Sequence, residues 1–268
     1  MALIHVNSYS KTLRQHISLD VLLPQELEND DYPRNHKWPA LYLLHGLSDD
    51  HTAWQRWSAL ERKIWGMPLA VIMPTTLRGF YTDMKYGPKY FTFISEELPV
   101  LCEKLFHISS RREDRFAAGL SMGGYGAFKL GLLCPDRFSA VASMSGALDV
   151  ACSTDVAYDY PTILPEYHLV FGTHEEVKKS KNDLFYVAQR CIDNGYKTPK
   201  MYQCCGIGDE LYVENKLFFE RFGKELNIEF DEGPGEHDWK YWDEKLEDVL
   251  NWLPLRQKTM PKNPRPLL

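Results

Sequence analysis

Short apolar runs recur along the chain, separated by stretches long enough to form a helix. Runs of this kind are typical of buried parallel strands, and the stretches between them of crossover helices. Near the N-terminus, a period of two over 17–23 instead predicts a strand paired antiparallel with 4–6. The pattern therefore predicts an α/β fold, with a mostly parallel central sheet and helices on both faces. The predicted parallel strands are 40–44, 69–73, 115–119, 140–145, 201–206 and 228–231.

The same pattern predicts how the rest of the chain is organised. The stretch 147–181 has no clean periodicity, so we expect a small cap inserted over the top of the sheet. A single domain is expected over 1–256, followed by a flexible C-terminal tail, 257–268, that contains three prolines. The predicted helices are 54–65, 93–106, 123–133, 182–194, 213–226 and 239–253.

Composition excludes several classes of protein. The net charge is −6 and no basic run stands out, which argues against partners such as nucleic acid or an anionic membrane surface. No apolar stretch approaches the roughly 20 residues of a membrane helix, and the N-terminus lacks a signal-peptide core. Six cysteines are present without a CxxC pair, as expected for reduced thiols in the cytoplasm.

The segment Gly119-Leu120-Ser121-Met122-Gly123 matches the G-x-S-x-G pattern of a nucleophile elbow. In that turn a serine sits between a strand and a helix with its hydroxyl exposed, and small flanking residues let the chain double back. Here a predicted strand precedes the motif and a predicted helix follows it. Ser121 is therefore the predicted nucleophile of an α/β-type serine hydrolase.

A serine hydroxyl needs a base, which is usually a histidine, and an acid that orients it. In the α/β-hydrolase fold the chain order is serine, acid, histidine. His237 follows the last predicted strand, and Asp209 lies directly beyond the strand 201–206, so these two are the expected base and acid. The alternative histidines are His168 and His174. The alternative acids are Asp149, Asp193, Asp231 and Asp238.

An oxyanion hole and a substrate pocket are expected near the ends of the strands. Leu47, after the strand-ending His45-Gly46, would supply one backbone N–H, and Met122, after the nucleophile, would supply the second. Aromatic residues near these loops could line the pocket. The candidate pocket residues are His45, Trp54, Tyr81 and Trp239, with Trp242 as a further possibility.

A metal site at His45, Asp49, Asp50 and His51 is the weaker interpretation of that loop. We expect His45 to pack beneath the oxyanion turn, and the acidic residues to form a solvated loop and cap the helix near Trp54. No metal and no cofactor are therefore expected.

With these motifs in place, the chain resembles the esterase D-like α/β-hydrolases, most closely the bacterial tributyrin esterases. The resemblance runs over about residues 40–250. It implies a cofactor-free carboxylesterase for short-chain acyl esters, a triad of Ser121, Asp209 and His237, and a possible homo-oligomer. It rests on 41–46, 81–83, 96–99, 119–126, 208–212 and 237–239.

Several reactions share the same first step. The relatives include S-formylglutathione hydrolases, feruloyl and acetyl-sugar esterases, and acyltransferases, all of which form an acyl-enzyme. The sequence does not separate hydrolysis of a small-molecule ester from transfer of the acyl group. A hydrolase-shaped binding protein without turnover is disfavoured, because the serine and histidine are both present.

Overall fold

The computed structural model describes residues 1–24, 36–154 and 159–256. Within these residues, eight strands form one sheet in the order β1-β2-β4-β3-β5-β6-β7-β8. The first two strands pair antiparallel with each other, β2 pairs antiparallel with β4, and the other neighbours are parallel. The strands are β1 Ala2–Ser10, β2 Gln15–Leu23, β3 Ala40–Leu44, β4 Ala70–Pro74, β5 Arg115–Leu120, β6 Ala140–Met144, β7 Lys200–Gly206 and β8 Ile228–Gly233.

This is the α/β-hydrolase fold, as predicted. Every predicted strand is present, with ends shifted by a few residues at most for the parallel strands. The predicted tail 257–268 lies outside the described residues. No helix in the described part of the chain is both long enough and apolar enough to cross a membrane.

Helices cover both faces of the sheet. They are α1 Ala53–Trp57, α2 Leu60–Lys63, α3 Tyr90–Thr92, α4 Leu98–Leu105, α5 Met122–Leu133, α6 Tyr160–Ile163, α7 Tyr167–Phe171, α8 His174–Val177, α9 Leu184–Asp193, α10 Tyr212–Phe222 and α11 Trp239–Trp252. One face of the sheet packs against α1, α2 and α11, and the other against α4, α5, α9 and α10.

Alternate side chains of the central strands serve these two cores. Along β3, Leu41 and Leu43 join one hydrophobic cluster, while Tyr42 and Leu44 join the other. All five residues of this strand are buried. A strand covered on both faces must be apolar throughout, which explains why the sequence shows continuous apolar runs at these places.

The single helix predicted over 54–65 is wrong. Two short helices, α1 and α2, stand there because Ser58 is extended between them (φ −130°). The Asp243 carboxylate accepts a hydrogen bond from the N–H of Ala59 (2.8 Å). A tertiary contact with α11 thus satisfies a donor at the interruption.

The predicted helix 93–106 also differs from the structure. A five-residue π-helical segment, Phe93–Glu97, lies between α3 and α4. Pro99 has no N–H to donate to the carbonyl of Ser95, four residues earlier. That carbonyl instead accepts a hydrogen bond from Arg137 Nη1 (2.6 Å).

The described parts of the stretch predicted as a cap, 147–154 and 159–181, carry α6, α7 and α8. Its buried side chains pack into the same hydrophobic cluster as the body of the protein. The Tyr167 hydroxyl donates to the carbonyl of Val150 (2.9 Å). We call 147–154 and 159–181 the cap.

Candidate active site

Ser121 stands at the sharp turn between β5 and α5. Its φ is +52°, a left-handed value that a residue other than glycine rarely adopts. A Cβ at Gly119 would lie 2.5 Å from the Gly123 carbonyl, and one at Gly123 would lie 2.5 Å from the carbonyl oxygen of Leu44. The glycines therefore let the helix approach the strands closely enough to support this strained turn.

Ser121, His237 and Asp209 form a hydrogen-bonded chain. The Oγ of Ser121 lies 3.0 Å from His237 Nε2, and His237 Nδ1 lies 2.9 Å from Asp209 Oδ2. An ionised carboxylate can only accept, so Nδ1 carries the proton and Nε2 is free to accept from the serine hydroxyl. The arrangement is able to take the proton of Ser121 while holding the ring in one orientation.

Asp209 is buried, and its environment favours the ionised carboxylate. Burial by itself raises the pKa of Asp209, but hydrogen bonds outweigh it and hold the pKa below its ordinary value. The largest of these bonds comes from His237, and others come from the Ser145 hydroxyl and the Leu211 N–H, which lies 2.8 Å from Oδ1. A negative charge therefore stands beside His237 and would stabilise its protonated form.

The structure corrects three of the pocket predictions. His45, Trp54 and Tyr81 are at most 1% exposed and do not line the cavity. They bond instead to three successive carbonyls of the turn after β3: Trp54 Nε1 donates to Leu44 O (3.1 Å), the Tyr81 hydroxyl to His45 O (2.9 Å), and His45 Nδ1 to Gly46 O (2.7 Å). These aromatic residues hold the turn from beneath.

The tautomer of His45 follows from its partners. Its Nε2 lies 3.1 Å from the backbone N of Thr76, which can only donate, so Nε2 accepts and Nδ1 carries the proton. Burial lowers the pKa of His45 to about 4, so the ring is neutral near pH 7. Both ring nitrogens are used, which leaves neither for a metal ion.

A cavity of about 420 Å³ opens above Ser121 and His237. Trp239 lines it, as predicted, and so do Trp242 and the oxyanion candidate Leu47. The cap contributes apolar wall, and two acidic side chains complete the lining. The cap residues of the lining are Ala147, Tyr160, Ile163 and Leu164, and the acidic ones are Asp49 and Glu210. The remaining lining residues are Gly46, Ser48, Phe80, Leu120 and Leu211.

The two backbone donors expected for the oxyanion hole flank Ser121. Met122 is the first residue of α5, so its N–H has no acceptor within the helix. A Cβ built on Gly46 would lie 3.7 Å from Ser121 Cβ, which places the turn containing Leu47 beside the nucleophile. Within the described residues, neither N–H donates to a protein acceptor.

The alternative residues are occupied elsewhere. His174 Nε2 bonds to the carbonyl of Ala151, and His168 packs against Tyr86. Asp231 pairs with Lys245, and Asp238 caps α11 by accepting from the N–H of Tyr241. Asp149 accepts hydrogen bonds from the backbone N–H groups of Ser153 and Thr154. Asp193 accepts one from the side-chain amide of Gln189.

Sequence reasoning missed Ser145 and the cap residues of the cavity. Ser145 follows β6 with φ +49°, and its hydroxyl accepts from Trp242 Nε1 (3.1 Å) while bonding to Asp209. The sequence placed Ser145 at the end of a strand but gave no sign that the neighbouring parallel strand ends beside it.

In the described chain, no group of three or more His, Cys, Asp or Glu side chains is placed to hold a metal ion.

Comparisons with known proteins identify similar enzymes. An acetyl esterase of Caldicellulosiruptor saccharolyticus is 28% identical, with 94% of this chain and 98% of the relative covered. The fluorophosphonate-binding serine hydrolase F of Staphylococcus aureus, solved with substrate bound, is 32% identical with a TM-score of 0.83, covering 94% and 98%. An S-formylglutathione hydrolase of the same organism, solved as the apoenzyme, is also 32% identical, with a TM-score of 0.82 over the same shares.

A family model described as putative esterase matches residues 10–253. This match spans the whole sheet from β2 onward, the elbow, the cap and the loop of His237. Together with the serine hydrolase neighbours, it shows that the chain belongs to this esterase family, within the esterase D-like α/β-hydrolases, and is a carboxylic ester hydrolase.

Proposed function

We propose that this protein hydrolyses short-chain acyl esters through an acyl-enzyme, with Ser121, His237 and Asp209 as its catalytic triad. The observation that carries the proposal is the hydrogen-bonded chain from Ser121 Oγ through His237 to Asp209 at the base of a cavity. The volume of about 420 Å³ is at the small end for ligand pockets. A short acyl group with a modest alcohol suits that space.

In the first half-reaction, Ser121 Oγ attacks the ester carbonyl carbon and its proton passes to His237 Nε2. Asp209 stabilises the imidazolium without taking its proton. The carbonyl oxygen becomes an oxyanion that accepts from the N–H groups of Leu47 and Met122. As the tetrahedral intermediate collapses, the alcohol leaves with the proton from Nε2.

In the second half-reaction, water attacks the acyl-enzyme and gives a proton to Nε2. The carboxylic acid departs and Ser121 regains its hydrogen.

The contacts of His45 support the assignment of Leu47 as a donor. The carbonyl of Gly46 and the N–H of Leu47 belong to one trans peptide and point in opposite directions. Since His45 holds that carbonyl on the buried side, the N–H of Leu47 faces the other side of the turn.

The test is hydrolysis of p-nitrophenyl esters from acetate to octanoate by the unaltered protein, by Ser121→Ala and by Ser110→Ala, which changes an exposed serine. We expect activity to fall as the acyl chain lengthens. We expect Ser121→Ala to lose about 10⁵-fold or more in kcat, and Ser110→Ala to match the unaltered protein. Full turnover by Ser121→Ala would overturn the assignment of the nucleophile.

A thioester of the S-formylglutathione type is the second candidate, because one of the S. aureus relatives carries that activity in its name. Acyl transfer to an alcohol is a third outcome of the same acyl-enzyme. Product analysis with added alcohols separates hydrolysis from transfer, since a new ester appears only if the acyl-enzyme accepts the alcohol.

Other expectations remain proposals. All six cysteines lie in the described residues and are free thiols, which supports a reducing compartment such as the cytoplasm. Activity without a metal or cofactor, assembly into a homo-oligomer, and the absence of nucleic-acid or membrane partners are predictions that the same preparations test.

A further inference from the structure

The cavity lining contains acidic side chains but no basic ones apart from the catalytic His237. Asp49 and Glu210 line it, and its lining contains neither lysine nor arginine. The rest of the lining, apart from the catalytic residues and Ser48, is aliphatic, aromatic or glycine. An ester or thioester entering this cavity therefore meets two carboxylates and no lysine or arginine among the lining residues.

Asp49 lies close to the reacting serine. A Cβ built on Gly46 would stand 3.5 Å from Asp49 Oδ2 and 3.7 Å from Ser121 Cβ. Asp49 Oδ2 therefore lies within about 7 Å of Ser121 Cβ. Asp49 is half-buried, so solvent screens its charge less than it would at an open surface.

The arginines near this turn have other carboxylate partners. Arg56 Nη2 lies 3.7 Å from Asp50. Arg78 pairs with Glu166 of the cap, and its Nη1 donates to Ser48 Oγ (2.7 Å). Within the described residues, Asp49 and Glu210 form no ion pair. Burial raises the pKa of Asp49, and the charge of Arg56 opposes that shift. The carboxylates of this region still outnumber the two arginines, which leaves a net negative charge around the cavity; they are Asp49, Asp50, Glu166 and Glu210.

Glu210 reaches the cavity from another part of the sheet, because β5 and β6 lie between β3, which precedes the turn of Asp49, and β7, which precedes Glu210. It follows Asp209 in the loop after β7, and its side chain is exposed. The carboxylates thus come from two separate loops that line one cavity, so a substrate bound there lies near both of them. Carboxylates that line a cavity act appreciably on a charged substrate, because the low-dielectric walls focus their field.

We propose that Asp49 and Glu210 select substrates whose alcohol or thiol part is neutral or cationic, and select against anionic ones. The inference rests on the proposed function and specifies its substrate class. An S-acyl glutathione carries a net negative charge, because its two carboxylates outnumber its one ammonium. Neutral esters, such as acetylated alcohols and sugars, enter the cavity without that repulsion.

The experiment uses three acetyl thioesters that share an acyl group and differ in the charge of the thiol: acetylthiocholine, S-acetyl-2-mercaptoethanol and S-acetyl-3-mercaptopropionate. Thiol release gives kcat/KM for each at about pH 8 and about 20 mM salt, where the carboxylates are ionised and weakly screened. We expect the anionic thioester to fall about 10-fold below the neutral one, and the cationic thioester to equal or exceed it.

The variants Asp49→Asn and Glu210→Gln should each narrow the ratio of neutral to anionic kcat/KM by about threefold, as should raising the salt to about 500 mM. Glu244→Gln changes an exposed carboxylate of α11 outside the cavity and should leave every ratio unchanged. Equal use of the anionic and neutral thioesters by the unaltered protein would overturn the charge selection. A failure to cleave both the neutral thioester and p-nitrophenyl acetate would instead overturn the esterase proposal, and this inference with it.

Discussion

At the scale of single residues, the turn after β3 shows how buried aromatic side chains support the chemistry without touching substrate. Trp54, Tyr81 and His45 bond to the carbonyls of three consecutive residues. Each of these bonds restricts one peptide plane. The direction of the Leu47 N–H is thus set by side chains that lie outside the cavity.

Replacing Tyr81 by Phe removes one hydrogen bond to the carbonyl of His45 and little volume. We expect kcat to fall about 10-fold with KM nearly unchanged, because the oxyanion donor remains but is less well aligned. Stability should fall by about 1 kcal/mol. Steady-state kinetics and urea unfolding measure the two effects.

Tyr167→Phe is the matched control, because it also removes a buried hydroxyl that donates to a backbone carbonyl at 2.9 Å. We expect a similar loss of stability with normal kcat. Equal loss of kcat in the two variants would show that Tyr81 acts only through general stability.

Asp209→Asn tests the acid. An amide can donate to His237 Nδ1 and favour the wrong tautomer, and it cannot stabilise the imidazolium. We expect kcat to fall by about 10⁴-fold with p-nitrophenyl acetate, while the fold is retained. Asp193→Asn, at the end of α9, should keep full activity. A loss of activity confined to Asp231→Asn would instead assign the acid to β8.

At the scale of elements, a buried carboxylate joins α10 to the cap. Glu214 accepts from the N–H of Leu148 (2.7 Å) and from the hydroxyl of Tyr160 (2.9 Å), a residue that lines the cavity. Burial raises the pKa of Glu214 to about 8. The protein therefore holds this carboxyl protonated at pH values where the unfolded chain ionises it.

The raised pKa of Glu214 should make the free energy of unfolding fall as the pH rises. Because the folded state binds the Glu214 proton more tightly, this contribution to stability is full below about pH 4.5 and is lost as the pH rises to about 8. Between about pH 6 and pH 8, the unaltered protein should lose about 2 kcal/mol more than Glu214→Gln. Urea unfolding at both pH values gives the difference. Glu220→Gln, an exposed position on α10, should behave like the unaltered protein, and an equal pH response in Glu214→Gln would refute this role.

Prediction from sequence succeeds for the parallel strands and fails for two interruptions of predicted helices. The parallel strands were predicted because residues covered on both faces must be apolar, and that requirement is visible in the sequence alone. The break at Ser58 and the π-helical segment before Pro99 were missed. In both places a distant residue, Asp243 or Arg137, satisfies a backbone group that the local sequence leaves open.

At the scale of the whole molecule, the cap shares its hydrophobic cluster with the body. Tyr160, Leu164, Val170 and Phe171 of the cap pack into one cluster with Phe80 and residues of α5, α9 and α10. A segment without a core of its own has little to stabilise it once the body unfolds.

We therefore expect one cooperative unfolding transition. All seven tryptophans lie outside 147–181, so tryptophan fluorescence reports on the body, whereas far-UV circular dichroism reports on all helices. The two guanidinium transitions should coincide in midpoint and slope. Loss of helical signal before the fluorescence change would show that the cap unfolds separately.

The amino-acid pattern was enough to predict the α/β class, the parallel strands, the elbow at Ser121 and the candidates Asp209 and His237. These follow from local rules: apolar periodicity, the glycine spacing of a strained turn, and the chain order of the reacting groups. The position of His45 beneath the turn was also expected. Only the folded structure shows that Ser145 and Leu211 bond to Asp209, that Trp54 and Tyr81 lie beneath the turn and not in the cavity, and that Asp49 and Glu210 line one cavity. Such contacts join residues from different loops. They depend on where parallel strands end side by side, and no single stretch of sequence records that.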